Sequence, residues 1–521
     1  MILKRLSAKL SFAVVALLLL SFYISCNSGV STYNHTTWSQ YGGGPDQSKY
    51  FDASEITKDN VGQLQVAWMY NSEDSMSYFF SPIVVDSMMY VMAKNFSLVA
   101  VNVHTGKEVW IHTKLMGLSR RGINYWESGD KKDKRLIFTL NNSLQAIDAV
   151  TGKSILSFGD SGYVDLRQGL DRDPSSIRRM QSMMPGIIYN DLVILGSAPG
   201  ENYFSPPGHI RAYNVVTGKL EWTFHTIPHP GEFGYDTWPK DAYLNTHTGA
   251  ANNWAGMAVD NERGILFVPT GSAGYDFYGG NRKGANLFAN CLIALDAKTG
   301  KRLWHFQTTH HDLWDRDLPA PPNLITVTHR GKKIPAVAQI TKQGFVFLFD
   351  RVSGKPLFPI VEKKVMGSAL KGEKAWLTQP YPTLPKPYAR LSSEIQHNDI
   401  NPYSENKEEL INTLASLNKS WHAAPSEKGN LILPGFDGGG EWGGAAADPN
   451  GILYVNSNEM AWIQKMVPTK KSSLNPGEKI YQTNCQSCHG ADKKGNPFSG
   501  YPTLVGISSK KSKTLWIWSS G

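Results

Sequence analysis

Five consecutive residues near the carboxyl end, Cys485-Gln-Ser-Cys488-His489, have the types and spacing of a covalent heme site. Two thiols separated by two residues can add to the vinyl groups of a heme, and the adjacent imidazole can bind its iron. A bare Cys-x-x-Cys pair also suits zinc or dithiol chemistry, but the histidine that follows favours heme. The motif therefore predicts heme c attached at Cys485 and Cys488, with His489 as the axial ligand.

A second group of chemically capable residues is the stretch Thr309-His310-His311-Asp312-Leu313-Trp314-Asp315-Arg316-Asp317. Ionisable and aromatic side chains are crowded here in a proportion that suits the lining of a cavity better than a core strand. A solvated loop and a metal site of the His/Asp kind are the alternatives that this stretch leaves open when it is taken alone.

The amino-terminal residues 1–26 predict export from the cytoplasm. A basic start is followed by an apolar run over residues 12–22 and then by small residues that end in Cys26. This is the layout of a secretory signal, and the run is shorter than the roughly 20 residues that span a bilayer. Cys26 resembles the lipidated cysteine of a bacterial lipoprotein, with an incidental cysteine as the alternative. We expect a periplasmic protein that touches a membrane only through this lipid anchor.

The composition predicts a globular, mostly β protein. The 521 residues are 41% hydrophobic and 19% charged, and 48 Gly and 29 Pro favour short strands joined by tight turns. The net charge of +9 comes from dispersed basic residues, which indicates a solvated surface and no nucleic-acid partner. Cys291 lies in an apolar run and is expected to be a buried free thiol.

A short pattern recurs along the chain and predicts a repeat architecture. Each copy is a strand ending in Asp or Asn, a turn containing Gly, and a second strand that usually carries an aromatic residue four positions after that Gly. The copies are 100–110, 146–153, 212–222, 294–304 and the looser 349–358. An extra apolar strand precedes several copies, so one unit holds about four strands, as in a propeller blade. A hairpin-rich β-sandwich is the alternative.

The repeated Ala-x-Asp-x-x-Thr-Gly-Lys-x-x-Trp turn resembles the tryptophan-docking motif of the quinoprotein dehydrogenases. These are eight-bladed β-propellers that hold pyrroloquinoline quinone (PQQ) on their axis. Residues 304–323 resemble the branch that contains membrane-bound glucose dehydrogenase, and the resemblance runs from about residue 38 to residue 465. It implies an all-β, eight-bladed quinoprotein propeller at 33–466, incomplete here, then a linker at 467–476 and a truncated, α-helical cytochrome c domain at 477–521.

The resemblance also implies roles for four residues. Asp315 matches the catalytic base and Lys342, expected within an apolar strand, matches the lysine that hydrogen-bonds the reactive quinone oxygen. Trp254 matches the tryptophan on which the quinone stacks, and Arg121 matches an arginine that suits the quinone carboxylates. A surface lysine and a core tryptophan are the ordinary alternatives for Lys342 and Trp254. Gly117 stands where the glucose dehydrogenase branch has a histidine, which leaves the substrate open.

Glu201 and Asn202 match the acidic and amide residues with which the family binds Ca²⁺ or Mg²⁺. An exposed turn is the alternative, and further ligands are expected from the turn at 271–274, without a choice among its residues. The segment 438–444 also resembles a family segment, with Asn456 and Asn458 as two candidates for an asparagine near the cofactor.

The carboxyl end departs from a complete cytochrome. The lead-in 476–484 and the stretch 500–506 resemble a small class I cytochrome c, yet no Met follows Met466 to serve as a distal ligand. Residues 513–521 do not resemble a closing helix, and fewer than eight blades can be counted. We therefore expect a truncated or frame-shifted chain whose propeller exposes sheet edges.

The predicted function is that of a periplasmic quinohemoprotein dehydrogenase. Asp315 deprotonates the hydroxyl of a sugar or alcohol, with glucose or another aldose as the first substrate, and electrons pass through heme c to a respiratory acceptor, either a quinone or a cytochrome. One alternative is a non-catalytic, outer-membrane-associated propeller scaffold, which has no use for Asp315, Lys342 or heme. The other is a PQQ alcohol dehydrogenase, and those enzymes commonly carry a Cys-Cys pair that this chain lacks.

Overall fold

The computed structural model describes residues 34–468, 476–495 and 502–507. The predicted signal with Cys26, most of the predicted linker and the last fourteen residues lie outside this part of the chain. As predicted, the described residues form mainly β structure. None of their helices has the length and apolar character that crossing a membrane requires.

Four sheets have four antiparallel strands each, and in each sheet the strands follow one another in chain order. This confirms the predicted four-stranded unit. The first sheet contains β1 (Ile83–Val85), β2 (Met88–Ala93), β3 (Ser97–Asn102) and β4 (Glu108–His112); the second contains β5 (Asn124–Glu127), β6 (Lys134–Leu140), β7 (Ser143–Asp148) and β8 (Tyr163–Asp165); the third contains β9 (Ile187–Tyr189), β10 (Leu192–Leu195), β11 (Ile210–Asn214) and β12 (Leu220–Phe224); the fourth contains β14 (Ala258–Asp260), β15 (Ile265–Pro269), β17 (Cys291–Asp296) and β18 (Arg302–Gln307).

The other elements are smaller. The strands are β13 (Gly249–Ala250) paired with β16 (Ala273–Gly274), the three-stranded sheet of β19 (Asn323–His329), β20 (Lys332–Ile340) and β21 (Val346–Asp350), and the pairs β22 (Ile360–Lys364) with β23 (Thr378–Pro382), β24 (Asn430–Ile432) with β27 (Trp462–Gln464), and β25 (Ala446–Ala447) with β26 (Leu453–Tyr454). The helices are α1 (Lys407–Ser416), α2 (Pro476–Asn484) and α3 (Gln486–His489).

The first strands of successive sheets lie side by side around a common axis. Strand β9 contacts both β5 and β14, and β19 contacts both β14 and β25. The segment 38–48 crosses this ring and accepts backbone hydrogen bonds from Val84, Val259, Leu324 and Ala447, with N–O distances of 2.8–2.9 Å. Those four donors lie in β1, β14, β19 and β25, respectively. The segment therefore connects the inner edges of four sheets, which is a propeller-type arrangement.

Each repeat turn is closed by its own side chains. In the second copy the Asp148 Oδ1 atom, at the end of β7, accepts hydrogen bonds from the backbone N–H and the hydroxyl of Thr151, both at 2.7 Å. Gly152 follows with φ +71°, a conformation that favours glycine. The pattern therefore fixes a tight turn from local hydrogen bonds alone.

The tryptophan of one copy packs on the turn glycine of the next. Trp110 in β4 lies over Gly152, and its Nε1–H donates to the Ala149 carbonyl at 3.1 Å. The same contact recurs for Trp68 on Gly106, Trp222 on Gly300 and Trp304 on Gly354. The repeated tryptophan thus joins neighbouring sheets, which is the role that the docking motif predicted.

Two copies depart from the predicted hairpin. The copy at 146–153 has no tryptophan, so Gly218 of the next copy packs against Gly159, and a groove opens between the second and third sheets. The copy at 349–358 forms only an isolated bridge between Phe349 and Pro356 after its turn. Proline has no N–H for a strand ladder, which accounts for the missing second strand.

We expect Gly354→Ala to destabilise the protein by about 2–4 kcal/mol, because the new Cβ meets both backbone strain at φ +68° and the Trp304 ring 2.6 Å away. Gly331→Ala is the matched control, since Gly331 has φ +75° but open space around its Cβ position. That control should cost only the strain, about 1–2 kcal/mol. Urea unfolding measures both values, and equal losses would refute a docking role for Trp304.

Candidate functional site

The residues predicted for the quinone and metal sites all lie in connections between strands, where polar side chains can face the axis without disturbing a sheet. Arg121 precedes β5, Glu201 lies between β10 and β11, Trp254 precedes β14 and Asp315 precedes β19. The prediction that Lys342 lies within a strand is wrong: it lies in the turn between β20 and β21.

The turn that holds Lys342 is closed at Thr341 and Gly344. The Thr341 hydroxyl oxygen accepts a hydrogen bond from the Phe345 N–H at 3.1 Å, and Gly344 has φ +86°. The apolar run on both sides hid this break, because the turn itself is buried and its hydrogen bonds are internal.

Lys342 and Asp315 form a buried ion pair. The Lys342 Nζ atom lies 2.9 Å from Asp315 Oδ1, with the side chains 7% and 13% exposed. Asp315 has φ +55°, so the loop holds it in a left-handed conformation that is costly for a residue with a side chain. Strain at a buried charged residue is typical of a functional site.

The two groups shift each other's pKa. Burial raises the pKa of Asp315 well above its ordinary value, and the positive charge of Lys342 moderates that rise. Burial alone would lower the pKa of Lys342, but Asp315, Asp317 and Glu201 together raise it, so the ammonium stays charged. The pair can therefore hold and release one proton at the Asp315 carboxylate.

A glycine-rich segment covers the Lys342 side chain. The Gly439 N–H donates to the Lys342 carbonyl at 2.8 Å. A Cβ on Gly438, which has φ +85°, would lie 2.6 Å from Lys342 Cγ, and a Cβ on Gly440 would lie 2.6 Å from the Tyr388 hydroxyl. The run of glycines in 438–444 thus permits close approach of the backbone to Lys342.

Trp254 is held by a carboxylate that the sequence reasoning missed. Its Nε1–H donates to Asp317 Oδ2 at 2.6 Å, while Asp317 Oδ1 accepts from the Ser272 N–H. A Cβ on Gly271 would lie 2.8 Å from Asp317 Oδ1, so glycine is needed beside it. The position of Asp317, two residues after Asp315, was the only sequence signal for it.

Arg121 lies between two indole rings. Its guanidinium carbon is 4.1 Å from the ring centroid of Trp442 and 5.7 Å from that of Trp254. The residue is buried, burial lowers the pKa of its guanidinium, and the Nη1 atom has no hydrogen-bond partner among the described residues. A buried, unpaired guanidinium nitrogen beside aromatic faces fits a planar anionic group.

Several carboxylates crowd the same space. Burial, followed by mutual repulsion, raises the pKa of Glu201 and of the fully enclosed Asp276, and Asp317 adds to the repulsion on both. Glu201 itself is exposed to solvent. Such a set of oxygens, with too few positive charges, suits a hard divalent cation.

The structure changes the predicted ligand set in one respect. The side-chain oxygen of Asn202 accepts a hydrogen bond from the Phe204 N–H at 2.9 Å, so it caps its own turn. Asp276 lies two residues after the turn at 271–274, which the sequence singled out without choosing a residue. Its carboxylate is buried and is a further candidate ligand outside that turn.

With divalent cations chelated, we expect the contribution of Glu201, Asp276 and Asp315 to the free energy of unfolding to fall as pH rises from about 4 toward neutrality, whereas histidines whose pKa values are lowered by burial contribute in the opposite direction. Glu201, Asp276 and Asp315 have raised pKa values in the folded state, so the folded protein binds more protons than the unfolded chain in this range. Urea titrations across pH should show a less negative slope for Asp276→Asn or with saturating Ca²⁺. Asp59→Asn, an exposed position outside the cluster, is the control and should keep the wild-type slope.

The heme motif lies on two short helices. Helix α2 is the predicted lead-in, and α3 contains Cys488 and His489. The Cys485 thiol is free and half-buried. The His489 Nδ1 atom lies 3.0 Å from the Pro502 carbonyl oxygen.

Comparison with known proteins identifies a family that covers nearly the whole chain. Residues 38–510 match the family model described as the PQQ glucose/ethanol/alcohol dehydrogenase β-propeller domain. The chain is 29% identical to quinoprotein glucose dehydrogenase A of Acinetobacter calcoaceticus, over 91% of this chain and 62% of the relative. It is 30% identical to the quinate/shikimate dehydrogenase (quinone) of Acinetobacter baylyi, over 85% of this chain and 59% of the relative.

The fold is similar to that of solved quinohemoprotein alcohol dehydrogenases. The structure from Pseudomonas putida has a TM-score of 0.62 at 23% identity and covers 84% of this chain and 59% of its own. The structure from Comamonas testosteroni has a TM-score of 0.58 at 22% identity, over 82% of this chain and 57% of its own. The chain thus spans about three fifths of the length of these proteins and of the two sequence relatives.

Proposed function

Because the chain belongs to the family of PQQ-dependent glucose/ethanol/alcohol dehydrogenase β-propellers, we propose that it oxidises a hydroxyl group of a sugar or alcohol. The observation that carries the proposal is the buried Asp315–Lys342 pair, 2.9 Å apart, with Lys342 5.9 Å from the Trp254 ring centroid. A carboxylate base, an ammonium and a flat aromatic surface are the groups that such an oxidation needs from the protein.

The surroundings of Trp254 fit PQQ. The Trp254 ring would lie against the flat face of the cofactor, the unpaired Arg121 Nη1 would meet a carboxylate at its edge, and Lys342 would meet a ring oxygen. When bound, PQQ supplies the two-electron acceptor that the side chains of the chain lack.

Asp315 accepts the hydroxyl proton of the substrate in this proposal. To do so it must be ionised, and the ammonium of Lys342 together with a bound cation favours that form against burial. Lys342 also stabilises negative charge that develops next to it, in the manner of an oxyanion hole. The surrounding structure holds Asp315 in this strained conformation, with its carboxylate beside the ammonium.

A divalent cation, Ca²⁺ or Mg²⁺, would be held by Glu201 and Asp276 near the same carboxylates, with Asn202 adjacent. Hard cations take oxygen ligands, and neutralising this cluster relieves its mutual repulsion. The assignment is supported by the raised pKa of both acidic residues, since their negative charges lack compensation within the protein.

We further propose that electrons leave through heme c at Cys485, Cys488 and His489 to a respiratory acceptor outside the cytoplasm, in the periplasm. The Cys485-Gln-Ser-Cys488-His489 motif supports this, because it places two thiols and an imidazole at the spacing of covalent heme attachment. The membrane contact through Cys26 stays a prediction from the sequence.

The first substrate to test is glucose or another aldose. Relatives include enzymes named for glucose, for quinate or shikimate, and for glycerol. Each of these compounds carries several hydroxyl groups. A side chain on Gly117, which has φ +94°, would collide with Asn141, so this chain has no room for a histidine there in its present conformation. Substrate contacts at this position therefore differ from those of the glucose dehydrogenase branch.

Purified full chain should be incubated with PQQ and Ca²⁺, and dye reduction followed across sugars, alcohols and polyhydroxy acids. We expect PQQ to bind with quenching of tryptophan fluorescence, since Trp254 would contact it, and at least one substrate to reduce the dye. PQQ binding without reduction by any substrate class would refute the proposed oxidation, whereas heme absorbance without PQQ binding would indicate a heme carrier joined to a non-catalytic propeller.

A further inference from the structure

A cluster of histidines lies apart from the carboxylates, Trp254 and Lys342. His209 precedes β11, and His225 and His229 follow β12, all around the third sheet. Asp171, from the connection between β8 and β9, and Glu232 complete the cluster. Imidazole nitrogens from three chain positions that share one small space can hold a metal ion of the zinc type.

The distances bring ligand atoms within reach of one ion. One nitrogen from each of the three imidazoles lies within 4.8 Å of the other two. Asp171 Oδ2 lies 2.8 Å from His229 Nε2 and 3.5 Å from His209 Nε2. Ligands about 2.0–2.1 Å from one zinc ion are roughly 3–3.5 Å apart, so the carboxylate is already placed as a neighbouring ligand.

Hydrogen bonds to the outer nitrogens fix which ring atoms face the centre. The Glu232 carboxylate lies 2.9 Å from His225 Nδ1 and accepts the His229 N–H at 2.8 Å. A proton on His225 Nδ1 leaves its Nε2 lone pair open to a metal, and a carboxylate behind a ligating histidine is a common arrangement. Glu232 thus orients His225 and the backbone of His229 together.

His209 has a different role, because it faces the carboxylate of Asp171. Its Nδ1 accepts the Thr226 N–H at 3.2 Å, so in the neutral ring the proton is on Nε2, which is fully buried, faces Asp171 and has no hydrogen bond of good geometry. The His209 Nε2–H therefore faces the Asp171 carboxylate.

We propose that this cluster is a binding site for a transition-metal cation, with Zn²⁺ as the fitting ion. Its ligands are the Nε2 atoms of His225 and His229 and the carboxylate of Asp171. His209 orients the carboxylate and Glu232 orients His225. Two imidazoles and one carboxylate leave a position open for water or an external ligand, which is a common three-ligand zinc site.

Binding requires one local change. The rings of His225 and His229 are stacked at 3.8 Å with planes 11° apart, and parallel rings cannot both direct their lone pairs at one ion. Both side chains are about a quarter exposed, so their rings can turn, whereas His209 is fixed by burial. The ion would then connect the β8–β9 connection to the segment after β12 and stabilise the third sheet against local unfolding.

The test uses the full chain, stripped with chelator and restored with Ca²⁺, and titrated with Zn²⁺ by calorimetry and with Co²⁺ by visible absorption. We expect one equivalent of Zn²⁺ in the wild type that His229→Gln loses, with about a 10–100-fold weaker affinity in Glu232→Gln, which keeps all three ligands. Co²⁺ should give ligand-field bands in the wild type that are absent in His229→Gln.

His104→Gln, which changes an exposed turn histidine outside the cluster, is the matched control and should bind as the wild type does. Because each result is a difference between variants, zinc bound at the Cys485–His489 motif cancels. The proposed site would be refuted if the wild type and a folded His229→Gln variant bound Zn²⁺ with the same stoichiometry and affinity. Thermal unfolding checks that each variant is folded.

Discussion

Replacing Asp315 with asparagine should lower kcat by about 10²–10⁴-fold, because the carboxylate that takes the substrate proton is lost. Asparagine has nearly the same size and is among the residues that best tolerate a positive φ, so the change removes the charge without adding strain at φ +55°. Steady-state dye reduction with saturating PQQ and Ca²⁺ measures the loss.

Two further measurements make that result specific. PQQ binding, followed by tryptophan fluorescence, and the unfolding midpoint should show that Asp315→Asn still folds and still takes up the cofactor. Asp315→Glu keeps a carboxylate but moves it by one methylene, so it should retain more activity than the asparagine variant. If a folded Asp315→Asn kept more than about a tenth of the wild-type kcat, general-base catalysis by this residue would be refuted.

Lys342→Met should lower kcat/KM by about 10²–10³-fold, the typical effect of removing one donor that stabilises developing charge. It should also move the acid limb of the pH–rate profile to higher pH. The sign follows from the pair: burial raises the pKa of Asp315, and the nearby ammonium opposes that rise. Without the ammonium the pKa is higher still, so a higher pH is needed to ionise the base.

The pH dependence of kcat/KM, measured on wild type and variants, checks this prediction. Lys342→Arg retains a positive charge and should keep the acid limb near its wild-type position even if its geometry lowers the rate. An unchanged or more acidic limb in Lys342→Met would contradict the proposed coupling. Because Glu201 and Asp276 also interact with Asp315, saturating Ca²⁺ should move the limb toward lower pH in the wild type.

The repeat was predictable because the forces that make it are local. The Asp or Asn at the end of each strand accepts hydrogen bonds from the Thr or Ser three residues later, and the glycine after that residue adopts a positive φ. All of these interactions lie within five residues, so the sequence pattern is sufficient to predict them. The resemblance of the turn to the tryptophan-docking motif also implied docking, which the contact of Trp304 with Gly354 bears out.

Other features needed the assembled sheets. Asp317, Asp276 and Trp442 were missed because their roles come from neighbours far away in the chain: the Trp254 indole for Asp317, the Glu201 and Asp315 carboxylates for Asp276, and the Arg121 guanidinium for Trp442. Lys342 was placed in a strand because a buried turn has the same apolar flanks as a buried strand. Hydropathy does not distinguish the two when the turn satisfies its own backbone.

The amino-acid sequence by itself therefore determined the strands, the turns, the heme-type motif and the kinds of residue available for catalysis, since these depend on spacing and on short-range hydrogen bonds. Only the tertiary structure decided which charges are buried together. A pKa shift or an unpaired guanidinium arises when distant segments exclude water from one another, as they do around Asp315 and Arg121. The number of blades and the substrate stay predictions.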